Sequence, residues 1–205
     1  MRLPFTFLPF LGVALLTGAE PRSRITVELD DKEPSRSRAT LTVPGSEPIT
    51  FAVGLGRKGL TEKGRVFQAE RSLLGDFRIN AILSKDRFEM DEELISKSGR
   101  SKAWLRENLF RSMNSIDFDG DGRGGEYGAG FLSLEPVGSE TEQPFAFGEY
   151  RGTFRWYSYA IHGTQDEARI GRRSTGGCIN VGVNAMQALL RSAKLGDVVE
   201  VGQRR

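Results

Sequence analysis

Short runs in which every second residue is apolar recur along this chain and commit it to a fold built from strands. Ile25, Val27 and Leu29 alternate within Arg24–Leu29, Ala39–Val43 alternates again, and Phe51, Val53 and Leu55 do so within Ile49–Leu55. A period of two lines one face of a strand, whereas a helix repeats every ~3.6 residues. The charged turn Asp30–Arg38 and the Pro44-Gly45 pair separate these runs, so an antiparallel meander is expected. Gly75–Leu83 reads as the next strand, with Phe77, Ile79, Ala81 and Leu83 on one face. Further strands are expected at Gly130–Leu134, Thr153–Ile161 and Val198–Val201, and residues 56–75, rich in Gly, Lys and Arg, read as a loop.

Helical spacing is confined to a few places. Lys102–Ile116 carries Leu105, Leu109, Met113 and Ile116 on one stripe, and Val183–Ala193 carries Val183, Met186, Leu190 and Ala193. Both stripes read as core-facing. A short helix is expected near Asp91–Ser96, inside an otherwise charged and irregular stretch from 84 to 100. The expected fold class is therefore mainly β: a mixed β-sandwich or distorted barrel, with an inserted helix and one helix after Cys178.

The chain has 205 residues, a formal net charge of +2 and 38% apolar residues, which fits one globular domain with a full core. So small a net charge gives no large basic field, and nucleic acid is not an expected partner. The first residues differ from the rest. Met1-Arg2 is a basic start, Leu3–Leu16 is apolar, and Thr17-Gly18-Ala19 supplies small residues for a signal peptidase. Residues 1–19 thus read as a signal peptide and 20–205 as the mature domain, exported to the periplasm or cell envelope. The apolar run falls short of the ~20 residues a spanning helix needs, so no stable membrane span is expected after cleavage.

Export sharpens the meaning of Cys178, the only cysteine, and of His162, the only histidine. One cysteine cannot form an internal disulfide, so it is either buried and inert or kept as a thiol for chemistry. Glycines crowd both residues, in His162-Gly163-Thr164 and in Thr175-Gly176-Gly177-Cys178-Ile179-Asn180. Consecutive glycines pack no side chains, which argues against an ordinary core position for the sulfur. The excursion between the two residues can close at modest entropic cost, so thiol and imidazole can meet. A neighbouring imidazole favours the thiolate, the nucleophilic form. The amides of Gly177 and Cys178 are candidate donors to an oxyanion.

This segment resembles the L,D-transpeptidase catalytic domain (YkuD type). The resemblance rests on His162-Gly163-Thr164, twelve intervening residues from Gly163 to Ser174, and Thr175-Gly176-Gly177-Cys178-Ile179-Asn180. Leu74-Gly75-Asp76-Phe77-Arg78-Ile79 and Gly196-Asp197-Val198-Val199-Glu200-Val201 add looser matches. It spans about residues 24–202, with an insertion near 84–128. One departure stands out: the family's second histidine, just before Gly-Cys, is Gly176 here. The resemblance implies a fold of the L,D-transpeptidase type and an acyl transfer on peptidoglycan stem peptides, with Cys178 as nucleophile and His162 as base. Gly163 or Thr164 would orient the imidazole. Thr175, Gly176, Gly177 and Asn180 would border the substrate, and Arg172 and Arg173 would meet its carboxylates. It also implies inhibition by carbapenem-type β-lactams.

Asp117, Asp119, Asp121 and Gly122 match the opening of a calcium loop, but Gly128 stands where an EF-hand needs glutamate. Two readings stay open: a structural calcium on Asp117, Asp119 and Asp121, or a plain Asp/Gly turn. The chemistry itself needs no cofactor. Two alternatives to the transpeptidase also stay open: an L,D-carboxypeptidase or other hydrolase on the same scaffold, and a non-catalytic exported module that binds wall or calcium.

Overall fold

A computed structural model describes residues 22–61, 70–112, 125, 127–138, 143–147, 150–154 and 159–204. The expected meander is present as β1 (Arg24–Leu29), β2 (Arg38–Thr42) and β3 (Ile49–Gly56), paired antiparallel in sequence. The stretch read as a loop contains two short parallel strands, β4 (Leu60–Thr61) and β5 (Ser72–Leu73). β6 (Gly75–Ser84) and β7 (Phe88–Met90) follow, then helices α1 (Glu92–Ser98) and α2 (Lys102–Ser112). α1 is capped by the Asp91 carboxylate, which accepts from the Glu93 amide, and it ends at Gly99 in the left-handed region.

The remaining strands are β8 (Gly130–Pro136), β9 (Gln143–Phe147), β10 (Tyr150–Phe154), β11 (Ala160–His162), β12 (Arg173–Thr175), β13 (Ile179–Val181) and β14 (Val198–Gln203), with helix α3 (Val183–Ser192) before the last. The single strand expected over Thr153–Ile161 is not formed. Its start belongs to the β9–β10 pair and its end to β11 in the main sheet.

Eight strands close on themselves in the order β3-β13-β11-β8-β6-β14-β1-β2, because β2 pairs back to β3. β12 and β7 add to β3 and β6 from outside the ring. Closure leaves the ring strands no free edge. The mainly β, barrel-like expectation is correct, and the three helices α1, α2 and α3 stand where the sequence analysis expects a short helix near Asp91–Ser96, the inserted helix and the helix after Cys178. None of these helices is long and apolar enough to cross a membrane.

One core cluster takes the inward residues, including Ile25, Leu41, Val53, Phe77, Ile161 and Ile179. Each such side chain contributes roughly 1.5–3 kcal/mol on burial. α3 presses Ala185, Met186, Ala188 and Leu189 onto this cluster. Val183, placed by the sequence on the same face, is 44% exposed, because the buried stripe is rotated from the expected one. A second cluster, on the other side of the sheet, joins Ala81, Leu83, Phe131, Ala160 and Cys178 to Leu94 of α1 and Leu105 of α2.

The strand β6 serves both clusters because its alternation is re-phased. The β6–β8 register shifts between Ile79 and Ala81, leaving Asn80 as an extra residue. Phe77 and Ile79 stay in the first cluster, Ile82 joins them, and Ala81 and Leu83 turn to the second. A bulge does this by letting two residues oppose one, which flips every later side chain.

Candidate active site

β11 and β13 are parallel neighbours with Ile161 beside Ile179 and His162 beside Asn180. Ile161 and Ile179 point into the first core cluster. His162 and Cys178 therefore project from the opposite face, since faces alternate along a strand. Continuing the register back one residue puts Cys178 level with Ala160, two residues from His162. Strand spacing and rise then place the two Cα atoms about 8 Å apart, a diagonal separation that a ring such as imidazole can span. Both residues are nearly covered, Cys178 at 8% exposure and His162 at 4%.

The imidazole is held in one orientation. Its Nδ1 lies 2.6 Å from the Gly163 carbonyl oxygen. With that oxygen as acceptor, Nδ1 carries the proton of the neutral ring and Nε2 keeps its lone pair. Thr164 is engaged elsewhere: its hydroxyl accepts from the Asp166 amide at 3.1 Å. Tyr127 covers the ring, with centroids 4.4 Å apart. The turn that carries Tyr127 sits on the histidine arm only because glycines line the contact. A Cβ on Gly128 would stand 2.8 Å from the Thr164 amide nitrogen, and one on Gly163 would stand 2.9 Å from the Tyr127 carbonyl oxygen. Sequence reasoning missed Tyr127. The signal was there in Gly128 and Gly130 on either side of Ala129, a spacing that allows close backbone approach.

The approach to Cys178 is braced from within. The Thr175 hydroxyl donates to the Cys178 carbonyl at 2.5 Å and accepts from the Gly177 amide at 3.2 Å. The Gly177 amide is thus already spent and does not face an incoming oxyanion, contrary to the sequence expectation. The Cys178 amide remains the candidate. Thr175 is 2% exposed and braces the loop from inside. Gly177 has φ +130°, a conformation open to glycine and strained for other residues. Gly176 is different: a Cβ there would meet nothing within 4 Å.

Asn180 is fully buried. Its carboxamide packs over Gly54, where a Cβ would lie 2.1 Å from the side-chain oxygen and 2.7 Å from the Arg169 carbonyl oxygen. The excursion between the two site residues is closed at its neck. Arg169 donates to the Ser174 carbonyl at 2.8 Å, and the Ser174 hydroxyl donates back to the Arg169 carbonyl at 3.2 Å. Glu167 fastens the same loop to α3 by accepting from the Val183 amide at 2.8 Å. Arg172 and Arg173 are both exposed, and Arg173 is paired with Asp31 at 2.9 Å.

Tyr159, just before β11, is completely buried and donates its hydroxyl to the Leu73 carbonyl at 2.9 Å. Burial, followed by the nearby Cys178, holds its phenol well above the ordinary range, so it stays protonated. Asp117, Asp119 and Asp121, like the expected signal peptide, lie outside the described residues. Among the described residues no group of three or more His, Cys, Asp or Glu side chains could hold a metal.

Comparison with known proteins gives this site its family. The family model for the L,D-transpeptidase catalytic domain (YkuD) matches residues 23–201. A Fuscovulum blasticum protein from the ATP synthase subunits region (ORF 5), provisionally named an L,D-transpeptidase, is 34% identical over 73 residues. That stretch covers 36% of this chain and 38% of the relative. Among solved structures, an L,D-transpeptidase from Mycobacterium smegmatis matches with a TM-score of 0.40 and 14% identity, covering 87% of this chain and 58% of its own. LdtMt1, solved in complex with imipenem, matches with a TM-score of 0.37 and 13% identity, covering 87% of this chain and 59% of its own. This chain thus spans less than two thirds of each of those proteins. The family match extends over nearly the whole described barrel and takes in both His162 and Cys178: the chain belongs to the L,D-transpeptidase catalytic domain (YkuD) family.

Proposed function

We propose that this chain is an exported peptidoglycan L,D-transpeptidase in which Cys178 forms a thioester with a stem peptide. The observation that carries the reading is the delivery of Cys178 and His162 to one sheet face by neighbouring parallel strands, with Nδ1 of the imidazole turned to the Gly163 carbonyl. In the first half-reaction His162 Nε2 takes the thiol proton and Cys178 Sγ attacks the carbonyl of the bond between an L and a D centre. The carbonyl electrons shift to oxygen, where the Cys178 amide is the candidate donor. As the tetrahedral centre collapses, the C–N bond breaks and the leaving amine takes the proton from His162. In the second half-reaction an acceptor amine attacks the thioester, His162 takes its proton, and the thiol of Cys178 leaves with that proton. Gly176 leaves His162 as the sole imidazole base. Arg172 and Arg173 are the exposed cations for a stem carboxylate. The basic, apolar and small-residue pattern of residues 1–19 supports export to the periplasm or cell envelope.

The test is covalent trapping. The mature protein, incubated with imipenem, gains the mass of one opened β-lactam on Cys178. Cys178→Ala gains none, and His162→Ala acylates at least about 100-fold more slowly, the scale of a lost general base. An intact thiol with no adduct would overturn the reading. Analysis of products from muropeptides then separates transfer to an amine from hydrolysis by water.

A further inference from the structure

β5 is only two residues long, yet it touches both arms of the site. Ser72 is completely buried. Its hydroxyl donates to the Gly177 carbonyl at 2.9 Å and accepts from the Gly56 amide at 2.9 Å. The next residue, Leu73, offers its carbonyl to the hydroxyl of Tyr159, which immediately precedes the strand that carries His162. Two residues before Ser72, the Glu70 amide donates to the Gly176 carbonyl at 2.7 Å. Glu70 is the one non-glycine residue with positive φ among the described residues, at +70°. Such a conformation is strained for a side chain and persists only where its surroundings impose it. Here Arg57, at 3.0 Å, and Lys58 hold its carboxylate.

We infer that Ser72 is a positioning residue for the Cys178–His162 couple. Its hydroxyl ties the peptide leading into Cys178 to the same short strand that Tyr159 ties to the start of β11. Gly177 has its amide on Thr175 and its carbonyl on Ser72, so each of the two peptide planes that meet at its Cα is held by a hydroxyl, the second of them leading into Cys178. Without the hydroxyl, a buried carbonyl and the Gly56 amide lose their partner, and the plane leading into Cys178 is free to turn about ψ of Gly177. Sub-ångström errors in such placement cost rate steeply, up to about 100-fold for 1 Å. The inference rests on the cysteine–histidine reading above, and its test is independent of the transpeptidase substrate.

The test is a double-mutant cycle read by alkylation of Cys178 with iodoacetamide at neutral pH, with imipenem acylation alongside. Ser72→Ala is expected to slow alkylation about tenfold when His162 is present and less than about twofold in His162→Ala, because the hydroxyl acts through the couple. Ser72→Thr, which keeps the hydroxyl, restores at least half of the wild-type rate. A purely structural role lowers Tm and gives equal losses in both backgrounds, which would overturn the inference. So would an unchanged rate in Ser72→Ala, or a wild-type rate indifferent to His162. If Ser72→Ala does not fold, Tyr159→Phe takes its place in the cycle. It is expected to slow alkylation about threefold with His162 present and not at all without it, and the same equal losses would overturn the inference. Alkylation that depends on His162 in a protein that imipenem never acylates would reject the transpeptidase reading and leave this cycle to decide the role of Ser72.

Discussion

On the histidine side, the site is assembled by close packing. The Tyr127 ring lies over His162, Gly128 sits on the Thr164 amide, and Gly163 sits under the Tyr127 carbonyl. On the cysteine side it is assembled by directed hydrogen bonds. Arg57 donates to the Thr175 carbonyl at 3.0 Å, Glu70 to Gly176 at 2.7 Å, Ser72 to Gly177 at 2.9 Å and Thr175 to Cys178 at 2.5 Å. Four successive carbonyls, from Thr175 to Cys178, are each given a donor. The difference follows from what each arm must do. The imidazole needs one ring orientation, which a single carbonyl and a covering ring supply. The thiol rides on a glycine-rich turn with no side chains to pack, so only hydrogen bonds to its backbone can hold it.

The comparison breaks most sharply at Gly177. A side chain there meets φ +130° and also strains the two peptide planes that Thr175 and Ser72 hold on either side of it. Gly177→Ala is expected to lower stability by roughly 2–3 kcal/mol, the upper range for a residue forced into a glycine-only region. Imipenem acylation of the folded protein should fall about 100-fold, the scale of a misplaced nucleophile. Chemical unfolding and acylation rates check the two parts separately, and wild-type values in both would show that the turn is not constrained as described.

The packed arm yields the next effect. Gly128→Ala pushes a Cβ to 2.8 Å from the Thr164 nitrogen at a residue with φ +58°. The expected loss is about 1–2 kcal/mol, for the left-handed conformation of an alanine. Here the imidazole keeps its own carbonyl partner, so acylation should fall only about three- to tenfold. A loss as large as that of Gly177→Ala would erase the distinction between the two arms.

How much of this was legible in the sequence depends on the range of the forces involved. The alternation of Ile25, Val27 and Leu29 or of Phe51, Val53 and Leu55 is local, and it gave the strands and their inward face. Cys178 and His162 were legible because their chemistry is rare and the glycines around them mark close approach. The bulge at Asn80 was not legible from the alternation of Phe77, Ile79, Ala81 and Leu83, which hides a register shift against β8; Ile82, apolar out of phase, was its one trace. β5 was hidden for a related reason. Ser72-Leu73 is too short for a pattern, and its role lies in bonds to Gly177 and Tyr159, distant in sequence by 105 and 86 residues. Thr175 and Asn180 flank the nucleophile in sequence, but their burial, Thr175 beneath the Cys178 turn and Asn180 against Gly54, depends on partners that the local motif does not reveal.

The smallest effect is expected at Gly176, beside the most sensitive position. Its carbonyl is held by Glu70, but its Cβ direction is open, with nothing within 4 Å. Its φ lies outside the left-handed region that restricts Gly177. Alanine at 176 therefore meets no clash and removes only unfolded-state freedom, which favours the folded protein by about 0.4–1 kcal/mol. Acylation should stay within about twofold of wild type. This separates two meanings of glycine in one dipeptide: Gly177 is required by the backbone, while Gly176 is a side chain the site does without. Gly176→His would place an imidazole where the resemblance expects the second histidine, in space that is already open. If Gly176→Ala instead destabilises the protein by more than about 1 kcal/mol, the hydrogen bond from Glu70 would have to be enforcing a backbone that only glycine accepts, and the cysteine arm would be constrained at both glycines rather than one.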